Sequence, residues 1–159
     1  MRRILFRERC LYRSLRKSSQ QRFSSESQDA ANLYCIDLVK QHDYDNYLAG
    51  LLFPKSGRDA FFAIRAFNVE LAVIKDQAKN NALAGRIRFQ WWRELLDRVY
   101  ATANPEDILE QQQQQQPVAK ALAFSIKNHN LTARWFERSL EARYVNEILQ
   151  CYYNFLIYL

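Results

Sequence analysis

Two neighbouring segments of residues 53–100 carry apolar side chains at helical spacing. In each segment an apolar residue recurs every three or four positions, which keeps one face of a helix out of water. A polar turn at Asn80–Asn81 separates the two segments. We therefore predict two adjacent helices that form the core or line a cavity. The repeating positions are Ala60, Ile64, Phe67, Leu71 and Ile74 in the first segment, and Ile87, Trp91, Leu95 and Val99 in the second.

Composition supports one helical domain. The chain has 159 residues, of which 48% are hydrophobic, enough for a real core in one domain but not comfortably for two. Three glycines and three prolines provide little material for tight hairpins. We expect an all-α fold with short polar connections.

The basic charge is concentrated at the start of the chain. Residues 1–25 hold seven arginines, Lys17 and the single acid Glu8. The net positive charge of this segment alone is larger than the +6 of the whole chain. The remainder is therefore close to neutral. A nucleic-acid surface would need clustered Lys and Arg on the folded part, so we predict no nucleic-acid partner.

Residues 1–25 have the composition of a mitochondrial presequence, since they are rich in Arg and Ser and almost free of acids. On a helix, Ile4 and Leu11 would lie opposite Arg2 and Arg9. The segment lacks the continuous apolar run of a secretory signal. A disordered basic tail or a nucleic-acid-binding arm remains the alternative.

The remaining segments, residues 26–159, read as one helical domain. Helical patterns are expected from Asp29 to His42 and around Tyr47–Phe53, and Pro54 marks a boundary. Ser56 or Gly57 could cap the next helix. Two further helices are predicted over Pro117–Asn130 and after Thr132, where the apolar positions are Trp135, Leu140, Tyr144 and Ile148.

Two segments stand apart in composition. Residues 110–117 contain six consecutive glutamines and are predicted to be an exposed low-complexity loop. Residues 148–159 carry no charge, but they are too short to cross a bilayer, which takes about 20 apolar residues in a helix. We predict no transmembrane segment.

No constellation for covalent or redox chemistry is visible. Cys10, Cys35 and Cys151 show neither CxxC nor metal-ligand spacing, so buried free thiols are expected. His42 and His129 stand alone in polar contexts and are expected at the surface. The chain has no P-loop or dinucleotide fingerprint, and we predict no cofactor and no bound metal.

Glu70 and Asp76 are the candidate acidic cluster on the first long helix. Six positions at about 100° each separate them by roughly 240°, so their side chains do not converge. Mg²⁺ at a diphosphate is usually held by one or two carboxylates together with phosphate oxygens. A lone Asp76 beside Lys75 would be a poor magnesium site.

Residues 33–147 resemble the N-terminal half of the squalene/phytoene synthase family. The family has a Phe-Pro-Lys-like turn before a helix that ends in an Asp-rich magnesium motif, and a Trp-Trp segment on the next helix. The resemblance implies an isoprenoid-synthase-like helical bundle, present here as its N-terminal part. The matching residues are Phe53-Pro54-Lys55, Arg58, Ala66-Phe67, Glu70, Asp76, Trp91-Trp92-Arg93-Glu94 and Leu96, with Glu141-Ala142-Arg143 as a later landmark.

The chain departs from the family pattern at the positions that bear on catalysis. Ala72 and Val73 stand where the Asp-rich motif usually begins, and Val69 replaces the arginine that commonly precedes it. A second Asp-rich motif would lie beyond Glu147 and is not reached. The resemblance therefore implies a vestigial diphosphate and metal motif at Glu70 and Asp76, with no catalytic residue. We interpret the chain as an N-terminal fragment or shortened isoform of doubtful stability, with a tail outside the family pattern.

The sequence FNVELAVIKD in place of the acidic motif resembles the mitochondrial, non-enzymatic branch of the family. That branch is implied to act on the matrix side of the inner membrane, peripherally attached, in early assembly of the membrane arm of respiratory complex I. Its implied partners are membrane-arm subunits or other assembly factors, and an isoprenoid or lipid could be retained. The alternatives are an active Mg²⁺-dependent prenyl transferase and a plain helical scaffold.

The aromatic residues leave two interpretations open. Phe61, Phe67, Trp91 and Trp92 could line a lipid cavity or form an ordinary core. The arginines of the second long helix could be a solvated face, or they could contact lipid headgroups or an acidic partner. They are Arg86, Arg88 and Arg93.

Overall fold

The computed structural model describes residues 26–77, 82–102 and 116–157, and for residues 75–77, 82 and 146–157 it describes the helical backbone alone. Residues 1–25, the predicted presequence, lie outside the described residues, as do the predicted Asn80–Asn81 turn and most of the polyglutamine run. Six helices are present in the described part of the chain. They are α1 (residues 26–42), α2 (Tyr44–Leu52), α3 (Lys55–Gln77), α4 (Ala82–Ala101), α5 (Pro117–His129) and α6 (Ala133–Ile157).

Helix α3 is the centre of the bundle. It contacts α2, α4, α5 and α6, and α4 also contacts α6. Its buried residues follow the predicted stripe, because Phe67, Leu71 and Ile74 are each about 1% exposed. Helix α1 joins the same core through Ala31, Cys35 and Val39. The expectation of an all-α domain is confirmed over the described residues.

The junction between α1, α2 and α3 is fixed by polar contacts. Asp43 interrupts the helical path between α1 and α2, and its side chain accepts a hydrogen bond from Arg65 on α3. The Arg58 guanidinium donates to the backbone carbonyls of Leu51 and Phe53, each at 2.9 Å. These contacts hold the last turn of α2 against the first turns of α3.

Pro54 marks the predicted boundary, but the cap prediction was wrong. Helix α3 begins at Lys55, and the backbone N–H groups of Gly57 and Arg58 both donate to the Pro54 carbonyl. Ser56 and Gly57 are therefore already inside the helix. Proline lacks an N–H but keeps its acceptor, so it can precede a helix without losing an internal hydrogen bond.

The apolar face predicted for α4 was wrong at its beginning. Ile87 is 61% exposed, whereas Phe89, Trp92, Leu95 and Val99 are buried. A strict spacing of four residues advances about 400° per step and so drifts by about 40°. Three such steps turn the stripe by about 120° away from the core. The residues of α4 that are buried are instead separated by either three or four positions.

Helices α5 and α6 begin at the predicted positions. Val118, Leu122 and Ile126 are buried on α5, and Asn130 ends the helix in the left-handed conformation with φ 48°. The Leu131 N–H then donates to the Ile126 carbonyl. On α6, Phe136 rather than Trp135 enters the core, since Trp135 is 68% exposed.

Helices α4 and α6 run antiparallel. The ring of Phe89 meets that of Tyr144 edge to face at 6.0 Å, while Leu96 lines a small cleft with Glu137 and Leu140. Residue numbers therefore increase along α4 in the direction in which they decrease along α6. No helix in the described part of the chain is both long and apolar enough to cross a membrane.

Candidate functional site

Glu70 lies at the end of the bundle where four elements meet. It projects from α3 and is half-buried. The charges of Arg88 on α4 and His42 at the end of α1 act on its carboxylate, and the Gln116 side chain, directly before α5, lies close enough to lower its pKa. Cys35 on α1 lies close enough for Glu70 to act on its thiol. Polar groups from positions far apart in sequence thus surround one carboxylate.

Burial governs the electrostatics of this site. Desolvation raises the pKa of the Glu70 carboxyl above its ordinary value, although Arg88, Gln116 and His42 each act to lower it. Burial, assisted by the negative charge of Glu70, raises the pKa of the Cys35 thiol to about 12. A thiol with this pKa is protonated at physiological pH and is a poor nucleophile. Cys35 is thus the buried free thiol expected from the sequence.

The described residues around Glu70 do not suit a diphosphate-bound Mg²⁺. Ala72 and Val73 are half-buried on the same helix, and Val69 is 6% exposed. No group of three or more His, Cys, Asp and Glu that could hold a metal exists among the described residues. Asp76 falls in the last turn of α3, but its side chain lies outside the described residues. One carboxylate balanced by one arginine supplies too few hard oxygen ligands.

Two of the four candidate aromatics form the centre of the core. The Phe67 ring lies 5.0 Å from that of Trp92 and 5.6 Å from that of Phe136, both edge to face. These contacts join α3, α4 and α6. Such pairs contribute about 0.5–1.5 kcal/mol beyond their burial. Phe67 and Trp92 therefore hold the helices together, and Phe67 also lines a cavity of about 360 Å³ with Trp135 and Phe136.

The other two candidate aromatics lie nearer the surface. Phe61 is partly buried and stacks on Phe53 with 4.5 Å between ring centroids. Trp91 is partly buried, meets Trp92 edge to face at 5.0 Å, and borders a groove. The four aromatics are thus divided between core and surface and do not surround one shared pocket.

The groove beside Trp91 runs between α4 and α6 and has a volume of about 460 Å³. We call it the α4–α6 groove. Sequence reasoning did not identify it, because its walls come from helices about 50 residues apart. The signal that could have pointed to it is the presence of arginines, and of no acid, in the first turns of α4. The groove is lined by Arg86, Ile87, Phe89, Gln90, Trp91, Arg93, Glu94, Leu140 and Tyr144.

The fold and the similarity of the sequence to known proteins together define the class of protein. The family model for squalene/phytoene synthase matches residues 39–146, so the chain belongs to the squalene/phytoene synthase family. Its fold is all-α and isoprenoid-synthase-like. No solved structure gives a significant match to the chain.

The similar curated proteins share one name. The chain is 38% identical over 121 residues to "NADH dehydrogenase (ubiquinone) complex I, assembly factor 6" of Bos taurus, covering 76% of this chain and 33% of that protein. It is 37% identical to the Homo sapiens protein of the same name, with the same coverage. The homolog from Drosophila melanogaster is 30% identical over 110 residues, 69% of this chain and 32% of its own length. The chain thus spans about a third of the length of these relatives.

Proposed function

We propose that this chain acts in the assembly of mitochondrial respiratory complex I and does so without prenyl-transfer chemistry. The observation that carries the proposal is its 37–38% identity to mammalian proteins named as complex I assembly factor 6. The matched region includes the helices that build the core around Phe67 and Trp92. In this interpretation the family fold serves as a binding scaffold.

The surroundings of Glu70 support a non-enzymatic role. A prenyl-transfer site ionises an allylic diphosphate and needs several carboxylates to hold the magnesium ions. Methyl-bearing Ala72 and Val73 occupy the stretch of α3 where the family resemblance places acids. Glu70 retains an arginine neighbour in Arg88. We interpret Glu70 and Asp76 as remnants of a diphosphate motif.

The proposed location is the matrix side of the mitochondrial inner membrane. The composition of residues 1–25 supports a mitochondrial transit peptide, and the names of the relatives fit the same compartment. The proposed partners are complex I membrane-arm subunits or other assembly factors. Attachment to the membrane would be peripheral, with an isoprenoid or another lipid as a possible ligand.

Depletion of the protein in its own cells tests the assembly role. We expect loss of mature complex I on a native gel and its recovery when the chain is supplied again. Glu70→Gln should restore assembly as well as the unchanged chain does, because the proposal gives this carboxylate no catalytic task. Normal complex I after complete depletion would contradict the proposal.

A second assay tests the enzymatic alternative directly. The purified chain is incubated with Mg²⁺ and farnesyl or geranylgeranyl diphosphate, and released pyrophosphate is measured. We expect no release above that of the Trp92→Ala variant, in which the core is disrupted. Turnover that depends on Mg²⁺ and is absent from the variant would establish a prenyl transferase and overturn the non-enzymatic part of the proposal.

A further inference from the structure

The first half of α4 presents apolar side chains to solvent on the outer side of the bundle. Leu83 is 65% exposed and Ile87 is 61% exposed. Trp91, one helical turn further on, is partly buried at the edge of the α4–α6 groove. The spacing of four residues places the three side chains along one side of the helix. We call these three residues the α4 stripe.

Arginines flank the α4 stripe. Arg86 and Arg93 are exposed and line the same groove as Ile87 and Trp91. Residues 75–93 contain five Lys or Arg and the single acid Asp76.

The acidic residues of this region lie toward the other end of α4. Glu94 borders the groove, and Asp97, Glu137 and Glu141 line the neighbouring cleft with Arg93. Arg86 therefore lies beside the exposed Leu83 and Ile87, where the first turn of α4 has no acid, whereas Arg93 lies among the acids and Arg98 is in the last turn. The start of α4 is the end that would meet an anionic plane.

The end of α6 extends past the same end of α4. The helices are antiparallel, so the end of α6 and the start of α4 point the same way. From the contact between Phe89 and Tyr144, the 13 residues to Ile157 carry α6 about 20 Å further. In the same direction α4 continues for only about 10 Å before its first residue. Residues 148–157 of this extension carry no charge and include Tyr152, Tyr153 and Phe155. The exposed start of α4 and the uncharged end of α6 therefore lie at one end of the bundle.

We propose that the α4 stripe, with Arg86 and Arg93, docks the protein on an anionic phospholipid surface. Leu83 and Ile87 would enter the boundary between headgroups and acyl chains, while the arginines bind phosphate groups. Interfacial helices combine an apolar face, basic flanks and aromatic residues at the headgroup level in this way. The proposal deepens the peripheral membrane location given above, because it assigns the attachment to one named surface.

Flotation of the purified full-length chain with vesicles tests the surface. Phosphatidylcholine vesicles with and without phosphatidylglycerol are compared at low and high salt. Arg86→Glu should lower partitioning into anionic vesicles on the order of twentyfold, counting about fivefold per unit of charge near an anionic surface. The matched control is Arg134→Glu, an exposed arginine at the other end of α6, which should change partitioning by less than about threefold.

The apolar contribution has its own pair of variants. Ile87→Ser should lower partitioning about tenfold or more, because burying an isoleucine side chain contributes about 1.5–3 kcal/mol. Leu52→Ser is the matched control, since Leu52 is 88% exposed on α2 and should leave partitioning unchanged. Equal losses in the test and control variants would overturn the proposal.

Tryptophan quenching distinguishes binding through the α4 stripe from binding through the basic residues 1–25. The chain has three tryptophans, of which Trp92 is 2% exposed. Brominated phosphatidylcholine mixed with phosphatidylglycerol should quench the Trp135→Phe variant, which retains Trp91, and leave Trp91→Phe unquenched. Absence of quenching in the Trp135→Phe variant would overturn the proposal. That result would be expected if the α4 stripe docked an acidic protein and not a lipid surface. Neither readout uses complex I, so failure of the docking surface and failure of the assembly role are distinguishable.

Discussion

The carboxylate of Asp43 accepts a hydrogen bond from the guanidinium of Arg65 at 2.8 Å, and this ion pair ties the α1–α2 junction to α3. Asn46 donates a second hydrogen bond to the same carboxylate at 2.8 Å. The side chains of Asp43 and Arg65 are 26% and 30% exposed, so the pair is only partly screened by solvent. A residue at a break between helices thus acquires a long-range role.

The first prediction concerns the loss of this ion pair. Asp43→Asn should lower the free energy of unfolding by about 1 kcal/mol at neutral pH, the upper range for a pair with this exposure. Chemical denaturation followed by circular dichroism measures the change. Asp37→Asn, the same substitution at an exposed position of α1, should change stability by less than about 0.5 kcal/mol.

The effect of Asp43 should depend on pH. The hydrogen bond from Asn46, followed by the hydrogen bond and charge of Arg65, lowers the pKa of Asp43 below its ordinary value of 3.8. The unfolded state therefore binds the proton more readily, and stability rises with pH through this range. The contribution should be present above pH 3.8 and disappear as the pH falls through the lower folded-state pKa. A difference between the Asp43→Asn and unchanged chains that persists below both values would contradict this explanation.

The second prediction concerns two helical glycines. A Cβ at Gly50 would lie 2.5 Å from Cζ of Phe62, a residue that is 1% exposed, whereas a Cβ at Gly57 would meet nothing within 4 Å. Overpacking typically costs about 1–3 kcal/mol, against a gain of up to about 1 kcal/mol for alanine over glycine in a helix. Gly50→Ala should therefore lower the melting temperature and Gly57→Ala should raise it.

A double variant checks the cause of the glycine effect. Phe62→Leu removes the ring atoms that a Cβ at Gly50 would meet, so Gly50→Ala should be less costly in that background. The thermal melts of the four chains in this cycle provide the coupling energy. An unchanged cost in the Phe62→Leu background would show that close approach to this ring is not the reason for the glycine.

The third prediction distinguishes two adjacent tryptophans. Trp92 is 2% exposed and contacts Phe67, so Trp92→Ala should cost about 3–5 kcal/mol, as large aromatic truncations in cores do. Trp91 borders the α4–α6 groove, and Trp91→Ala should cost less than half as much. Urea unfolding of both variants measures the difference. Equal costs would mean that the groove side of α4 is packed as tightly as the core side.

The fourth prediction concerns the charge of Glu70. Because burial raises its pKa above the ordinary 4.5, the ionised carboxylate destabilises the folded state at neutral pH relative to an exposed glutamate. Glu70→Gln should therefore raise the free energy of unfolding at neutral pH. The gain should shrink as the pH falls through the raised folded-state pKa, and it should be lost below 4.5. Glu141→Gln, the same substitution at an exposed position of α6, should change stability at neutral pH by less than about 0.5 kcal/mol. Destabilisation by Glu70→Gln at neutral pH would show that Arg88 outweighs burial.

The helices could be predicted from sequence where a local signal fixes them. Pro117 starts α5, and the spacing of Val118, Leu122 and Ile126 defines its buried face, because both signals lie within one element. The exposure of Ile87 could not be predicted, since a four-residue repeat drifts around a helix and only the neighbouring helices decide which side is buried. Local patterns show which segments form helices, but they only approximate which side of each helix is buried.

The candidate site was less predictable than the fold. Glu70 could be singled out by its residue type, but Cys35, Arg88 and Gln116 come close to it only after four segments have assembled. The roles of Phe67 and Trp91 likewise depend on which helix packs beside them. The placement of the Asp76 side chain stays a prediction. Contacts between distant positions have no short-range signature in one sequence.

The closeness of Gln116 to Glu70 has a consequence for variation in chain length. Gln116 is the last of six identical residues and directly precedes Pro117. Loss or duplication of glutamines earlier in the run still leaves a glutamine next to the proline. The same amide would then meet the same carboxylate, so homopolymer expansion or contraction can proceed without a change of anchor for α5.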